Sequence, residues 1–420
     1  MNLIVPKYKN IFSGLVPILL VYLYLFQPPI FITKYVYIAI EATIFFLGLT
    51  LFDKKILNDF IKMFKREISL LFIILSYAVL RDMFVGEEVL SFRFIAWTFQ
   101  AFIFGFLIIR MFNYNLEKIF ITFYWASVIA ALFSLILVLF PSIDAVYKSM
   151  QLDQVNIYEN MEQRHRSFGV SENLTFTYSF ILGFFASYTL TILSKNKWLI
   201  IPFMLLLLGV LYNARIGLVP IIFTIIFLII KGNFKNFIYL FVLTIVLFFS
   251  ITYFNPAIID KIFFNKNWVF HFFYDLSDSL FGTSYSDVST LKTLTGRFII
   301  LPETLFSWIF GTGEFLFTKS GMNSDVGYII QLYYGGLLLF IPLMILNLVF
   351  FKRLIKRNGF THWFTFIFIF SVLILNFKGF IFAATPGGRM LFLFYMCFAI
   401  MSMNSNKVNF MSVNNIDQKT

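Results

Sequence analysis

The sequence contains little charge, one cysteine and three histidines. Of its 420 residues, 13% are charged and 60% are hydrophobic, whereas about a quarter of the residues in an ordinary soluble domain are charged. So little charge excludes a soluble enzyme, a disordered chain and a nucleic-acid-binding protein. The lone cysteine, Cys397, excludes an internal disulfide and a cysteine metal cluster. The histidines, at positions 165, 271 and 362, lack the spacing of a zinc or haem site.

What the sequence has instead is a series of long apolar segments. The mean hydropathy is +0.85, and a helix that spans the hydrocarbon core needs about 20 mostly apolar residues. Twelve segments fit this description: residues 11–27, 31–52, 68–85, 94–112, 119–140, 174–194, 198–213, 217–231, 237–254, 326–350, 363–379 and 385–403. The sequence therefore predicts an all-α polytopic integral membrane protein, with one transmembrane domain over residues 1–403 and a polar tail over 404–420.

Lysine and arginine determine the predicted orientation. The formal net charge is +12, and cations concentrate in the short even-numbered connections between the segments. They are Lys54, Lys55, Lys62, Lys65, Arg66, Arg110, Lys118, Lys195, Lys197, Lys231, Lys235, Lys352, Arg353, Lys356 and Arg357. Because cytoplasmic loops carry an excess of Lys and Arg, we expect these connections and both termini to be cytoplasmic. The first segment resembles a signal peptide, but no small-residue cleavage site follows it, so we expect it to be retained.

Two connections on the predicted outer side are long, residues 141–171 and 255–323. The second contains aromatic runs that are too short to span a bilayer and too apolar to lie in water, such as Phe298–Phe310. We expect short amphipathic helices on the outer leaflet. Long loops in compact domains are usually functional, so this loop is where we look for a site.

Arginine is the charged residue that most needs an explanation on the outer side. An arginine at the centre of a spanning helix costs about 2.5–3.5 kcal/mol on the insertion scale. The outer arginines are Arg81, Arg93, Arg164, Arg166, Arg215, Arg297 and Arg389. A side chain that reaches the lipid headgroups is the alternative interpretation, particularly for Arg81, Arg93 and Arg164.

Three of these arginines lie in distinctive segments. Arg166 begins Arg166-Ser-Phe-Gly-Val-Ser-Glu-Asn173, Arg215 lies in the short turn Tyr212-Asn-Ala-Arg-Ile-Gly217, and Arg297 precedes a run that ends in Gly311-Thr-Gly313. An arginine beside the first turn of a helix favours binding of an anion. A purely structural role is the alternative, with Asn173 capping one helix and Ser324 or Asp325 capping the next.

In this order the segments resemble the bacterial O-antigen polymerase (Wzy-type) and O-antigen ligase family. The resemblance covers about residues 164–345, and the twelve-segment layout is similar over the rest. Members of the ligase branch usually carry His-Asn where this chain has Ser324-Asp325, which favours the polymerase branch.

The resemblance implies an activity, a fold and a location. It implies polymerisation of O-antigen or similar repeat units that are carried on undecaprenyl pyrophosphate, by inverting glycosyl transfer. It also implies a fold like the C-type glycosyltransferases, in the bacterial inner membrane, with the site facing the periplasm. The partners would be undecaprenyl-pyrophosphate-linked glycans, membrane lipids and a chain-length regulator protein, with no nucleic acid and no cofactor.

The chemistry of the reaction suggests roles for individual residues. Because no carboxylate cluster is evident for a metal, arginine is the natural partner of the pyrophosphate, to which it makes bidentate charge-assisted hydrogen bonds. Arg166, Arg215 and Arg297 are the expected pyrophosphate ligands, with Arg389 as a fourth. Asp325 is the first candidate for the general base, and Glu303 and Glu172 are the alternatives.

An O-antigen ligase is one competing hypothesis, and a lipid-linked oligosaccharide flippase or other transporter is another. The connection over residues 53–67 lacks the glycine and aspartate signature of the major facilitator superfamily. Transporters also tend to place charge at the bilayer midplane, and here only Glu41 lies clearly within a span.

Overall fold

The computed structural model describes residues 15–28, 61–62, 64–85, 105–112, 115–149, 170, 175–193, 196–232, 299–314, 324, 326–356, 362–378, 390 and 395. All regular structure in these residues is helical. The helices are α1 Leu15–Phe26, α2 Lys65–Val85, α3 Gly105–Met111, α4 Leu116–Leu139, α5 Pro141–Ser149, α6 Thr175–Ile192, α7 Ile200–Asn213, α8 Leu218–Ile230, α9 Leu305–Phe310, α10 Gly327–Lys356 and α11 His362–Lys378. Short 3-10 turns at Lys197–Leu199 and Arg215–Gly217 flank α7.

The described helices agree with the all-α prediction. A helix lies within nine of the twelve predicted apolar segments, often with bounds close to those expected, as for α4 and α6. The segments 31–52 and 237–254 lie outside the described residues, and 385–403 does so except for two residues. Within the described part, two helical stretches are long and apolar enough to cross a membrane, Lys118–Leu139 and Gly327–Lys352, each with mean hydropathy 2.2.

Polar residues at the helix ends explain several of these bounds. The side chain of Asn115 accepts a hydrogen bond from the N–H of Lys118 at 3.1 Å and caps α4. Thr304 and Ser307 bond each other's backbone N–H groups in a capping box that starts α9. Pro141 begins α5, at a position where its missing N–H has no cost.

The core forms where antiparallel helices pack aromatic side chains together. The rings of Phe120 on α4 and Tyr188 on α6 have centroids 4.5 Å apart. At the opposite end of the same pair, the hydroxyl of Tyr178 lies 2.7 Å from the Ser134 hydroxyl and donates to the Ala130 carbonyl at 2.7 Å. Since residue numbers rise along α4 as they fall along α6, the two helices run in opposite directions.

Polar side chains lie inside this core while large apolar side chains lie outside. Buried polar residues include Ser127, Ser134, Thr177, Ser179, Ser187, Thr189, Asn213, Thr224, Gln331 and Asn376. Several of the hydroxyls bond the carbonyl one turn earlier in their own helix, as Ser187 does with Gly183 at 2.9 Å. Exposed residues include Phe72 at 70%, Ile230 at 76% and Leu348 at 65% of their surface. This distribution is the one that helices need when their surroundings are apolar.

Candidate functional site

Most of the predicted site residues lie outside the described residues, but close in sequence to segments that the structure describes. Arg166, Arg297, Arg389, Asp325 and Glu172 lie outside the described residues. For Arg215 the structure describes the backbone, and for Glu303 it describes the side chain as well. Described segments next to several of these residues in the sequence make close contacts in two places.

The first place, which we call the small-residue junction, consists of Ser179, Gly183, Ala214 and Gly217. The turn that carries Arg215 packs here against α6. The Ser179 hydroxyl donates to the Ala214 carbonyl at 2.5 Å. A Cβ on Gly217 would overlap the Ser179 carbonyl, and a Cβ on Gly183 would overlap the Gly217 carbonyl. The backbone of the Arg215 turn is therefore held in direct contact with a neighbouring helix.

The chain that follows Arg166 is anchored at this same end of the helices. The Tyr22 hydroxyl on α1 donates to the Val170 carbonyl at 2.5 Å. One turn further along α1, the ring of Phe26 meets that of Tyr178 with centroids 5.3 Å apart. Tyr178 directly precedes Ser179 of the small-residue junction. The Arg215 turn thus packs directly on α6, whereas Val170 is held by α1, which itself packs on the first turns of α6.

The second place is where the Gly311-Thr-Gly313 turn meets a break in α10. Gly336 has φ 61° and ψ −164°, which is not helical. In an uninterrupted helix the carbonyls of Tyr333 and Tyr334 would accept from the N–H groups four residues later. Beside the break, the Tyr333 carbonyl accepts from Thr312 N–H at 2.8 Å, and the Tyr334 carbonyl accepts from Gly313 N–H at 2.9 Å. The turn therefore supplies donors to α10 next to the position where its helical geometry is interrupted.

Glycine makes this contact possible on both sides. Gly311 has a φ of 74°, in the left-handed region, and a Cβ there would overlap the Tyr334 carbonyl. A Cβ on Gly336 would overlap the Ile309 carbonyl and the Gly311 nitrogen. The helix α9 ends at Phe310, directly before Gly311.

Three side chains at the end of α2 hold the same turn and helix. The Tyr77 hydroxyl donates to the Phe310 carbonyl at 2.6 Å, and Nη2 of Arg81 donates to the Gly311 carbonyl at 2.7 Å. The Tyr334 hydroxyl donates to a carboxylate oxygen of Asp82. We call this set the polar joint: Tyr77, Arg81, Asp82, Gly311, Tyr334 and Gly336.

The start of α10 is fixed by hydrogen bonds on both sides of Asp325. The buried Ser324 hydroxyl accepts from the N–H of Val326 at 3.1 Å, directly before α10 begins at Gly327. The Tyr328 hydroxyl donates to the Leu373 carbonyl of α11 at 3.0 Å, and the Gln331 amide donates to Asn376 at 3.2 Å. The first turns of α10 are therefore attached to α11.

Glu303 has a different setting from the other candidates. It is exposed, and it directly precedes Thr304, whose side chain caps α9. In the described part of the aromatic run Phe298–Phe310, residues 299–310, the helix covers Leu305–Phe310. Pro302 and the Thr304 cap explain the late start, because proline has no N–H to donate and the capping residue is itself non-helical.

Sequence reasoning did not identify most of the polar joint. Tyr77, Asp82 and Tyr334 were not candidates, and Arg81 was interpreted mainly as a lipid-facing side chain. The guanidinium instead donates to a carbonyl of the same protein, far away along the chain. The available signal was an Arg-Asp pair at the end of a span with a tyrosine one turn earlier.

A metal site was not expected. Among the described residues, no group of three or more histidine, cysteine, aspartate or glutamate side chains is arranged to hold a metal ion.

Comparisons with family models, with curated proteins and with solved structures find no match for this chain.

Proposed function

We propose that this protein is a membrane-embedded polymerase of undecaprenyl-pyrophosphate-linked oligosaccharide repeat units. The observation that carries the proposal is the setting of the predicted site segments. Packing or hydrogen bonds at helix ends fix four of these segments. They are the Arg215 turn, the chain after Arg166, the chain after Arg297 and the start of α10. A reaction that depends on holding two substrates in line needs such fixed positions.

The distribution of polar and apolar side chains supports the membrane setting. Exposed Phe, Ile and Leu side chains cover the helices, and buried hydroxyls bond within them. Two stretches have the length and composition of a span. The twelve-segment layout, with a large outer loop and a fold like the C-type glycosyltransferases, is the proposed arrangement of the whole chain.

The charges at the helix ends support placing the polar joint and the small-residue junction on the same side of the membrane. In α2 the polar joint lies at the opposite end from Lys65 and Arg66, and in α10 it lies towards the opposite end from Lys352. In α8 the small-residue junction lies at the opposite end from Lys231. If these cations are cytoplasmic, both the joint and the junction face the periplasm of the bacterial inner membrane.

The proposed reaction is a single inverting displacement. An oxygen of the acceptor sugar attacks C1 of the donor, the bond from C1 to the pyrophosphate oxygen breaks, and undecaprenyl pyrophosphate leaves. The acceptor hydroxyl proton passes to the Asp325 carboxylate. Because pyrophosphate is already a good leaving group, the main tasks are alignment, stabilisation of its negative charge and acceptance of one proton.

The arginines stabilise that charge in this mechanism. The planar guanidinium forms two parallel hydrogen bonds with phosphate oxygens, and Arg166, Arg215, Arg297 and Arg389 are the proposed donors. Of these, Arg215 has the best-supported position, because its turn packs backbone to backbone on α6.

Deletion of this gene, followed by gel analysis of the surface glycan, tests the proposal. A polymerase deletion leaves glycan capped with a single repeat unit, and the wild-type gene restores the ladder of long chains. Loss of all attached polymer with accumulation of long lipid-linked chains indicates an O-antigen ligase instead. Accumulation of single lipid-linked repeat units on the cytoplasmic face indicates a flippase.

A further inference from the structure

The last turns of α2 present two adjoining faces to two different partners. Tyr77 and Arg81 are four residues apart and lie on one face, and Ala78 and Asp82 lie on the next. The first face contacts the end of α9, through the Phe310 and Gly311 carbonyls. The second contacts α10, where Tyr334 bonds Asp82. One helix thus holds the Gly311–Gly313 turn and α10 together.

The contacts on the first face supply hydrogen-bond donors to two carbonyls at the end of α9. The last carbonyls of a helix have no partner within that helix, and α9 has only six residues. The Tyr77 hydroxyl and the Arg81 guanidinium act as donors from a neighbouring helix. In the described residues, each side chain makes one such bond, at 2.6 Å and 2.7 Å.

This contact joins two segments, each of which follows a predicted site residue in the sequence. Residues 299–314 begin two residues after Arg297, and α10 begins two residues after Asp325. The Gly311–Gly313 turn is the place where these two segments bond, through Thr312 and Gly313 on one side and Tyr333 and Tyr334 on the other. Anything that fixes this turn therefore also fixes the described segment after Arg297 on the helix that follows Asp325.

We propose that Arg81, assisted by Tyr77, is a positioning residue that latches the Gly311–Gly313 turn onto α10. The latch holds the segment that follows Arg297 in the sequence against the helix that follows Asp325. This inference rests on the proposed polymerase function for its catalytic consequence, although the latch itself does not. A displacement of about 1 Å in a reacting group can lower a rate about 10²-fold, so a latch without substrate contact affects turnover.

A latch and a pyrophosphate ligand differ in the number of hydrogen bonds that the arginine must make. Arg81 donates one N–H to one carbonyl, and a lysine can also donate one N–H. A lysine cannot replace an arginine that binds pyrophosphate through two parallel hydrogen bonds. Arg81→Lys should therefore keep activity within about threefold of the wild type, while Arg215→Lys should lose most of it.

The activity test uses purified full-length protein with lipid-linked repeat units. Arg81→Ala should lower kcat by about 10–100-fold with little change in KM, Tyr77→Phe should lower it less, and Arg81→Lys should recover it. Phe84→Ala is the matched control, because Phe84 lies on the same end of α2 and is 83% exposed. A rise in KM with unchanged kcat in Arg81→Ala would contradict the positioning role.

A second measurement does not depend on activity. With Cys397 replaced by Ser, cysteines at Thr312 and Tyr333 should form a disulfide readily, because these residues are hydrogen-bonded neighbours. Adding Arg81→Ala should slow that reaction about tenfold or more, and adding Phe84→Ala should not. An unchanged rate in Arg81→Ala overturns the latch.

The two measurements together separate the possible failures. A slowed disulfide with wild-type polymerisation overturns the positioning role and leaves the polymerase proposal standing. If the wild-type protein makes no polymer at all, the proposed function and the catalytic consequence of the latch fail together. The disulfide rate then still decides whether Arg81 holds the turn.

Discussion

The small-residue junction and the polar joint both hold neighbouring segments together, but by different interactions. At the junction, α6 and the Arg215 turn approach so closely that an added Cβ at Gly183 or Gly217 would overlap the facing backbone. At the joint, tyrosine, arginine and aspartate side chains bridge three elements by hydrogen bonds. The comparison teaches that the junction is sensitive to volume and the joint is sensitive to the loss of donors and acceptors.

Enlarging the junction should have the largest effect. A Cβ at position 217 meets the backbone of Ser179, so Gly217→Ala can be accommodated only if a helix moves. Overpacking that side chains can absorb costs about 1–3 kcal/mol, and we expect at least the upper end of this range. The yield of folded protein in detergent and its thermal midpoint should both fall sharply.

Gly232→Ala is the control for that experiment. Gly232 has a φ of 69°, but nothing lies within 4 Å of an added Cβ. Substitution there adds only the backbone strain of about 1–2 kcal/mol for a left-handed residue. Equal losses in the two variants would show that the junction is not tightly packed.

Replacing the arginines of the predicted site should abolish function without loss of the fold. We expect Arg215→Ala to remove long chains while the protein level stays near that of the wild type, and Arg297→Ala to do the same. Lysine at either position should restore chain length only in part, because an ammonium keeps the charge and loses the bidentate fork. Gel analysis of the surface glycan and an immunoblot of membranes measure both quantities. Full restoration by lysine at both positions would leave simple surface electrostatics as the explanation.

Removal of the proposed base should have the next largest effect. A general base contributes about 10²–10⁴-fold to a rate, so Asp325→Asn should lower polymerisation by that factor and leave folding intact. Glu303→Gln is the matched substitution, and because Glu303 is exposed at the start of α9, we expect nearly wild-type rates. The reverse pattern would move the base to Glu303, and loss in neither variant would point to Glu172.

Removal of one hydroxyl should affect the joint and not the junction. Tyr334→Phe breaks the bond to Asp82, and a hydrogen bond to a charged group contributes about 1.5–3 kcal/mol. Tyr212→Phe, near the junction, removes a buried hydroxyl that has no hydrogen-bond partner among the described residues, so it should be neutral or slightly stabilising. Urea or thermal unfolding of the two variants in the same detergent measures the difference. A larger loss in Tyr212→Phe would reverse the comparison.

The helices could be predicted from the sequence because length and apolarity determine them. The segment expected at 119–140 is a helix over Leu116–Leu139, and the Arg215 turn lies between two helices as expected. The helix α10 begins at Gly327, one residue after the start of the segment expected at 326–350. These features depend on local composition and on short-range hydrogen bonds.

The polar joint could not be predicted because its contacts join distant parts of the chain. Arg81 and Gly311 are 230 residues apart, and Tyr334 and Asp82 are 252 apart. The break at Gly336 lies within an apolar run that reads as one continuous helix, and only the Gly335-Gly336 pair marks it. Hydrophobic periodicity indicates which residues are helical, but it does not indicate which donors will meet which acceptors.

The most direct test of the central claim is polymerisation by the purified protein in liposomes. Undecaprenyl-pyrophosphate-linked repeat units are supplied with excess EDTA, and the products are separated by chain length. The account predicts a ladder of lipid-linked polymer that forms with EDTA present and is absent with Arg215→Ala. No extension of the repeat unit under any condition, or extension that stops with EDTA and returns with magnesium or manganese, would contradict a metal-independent polymerase.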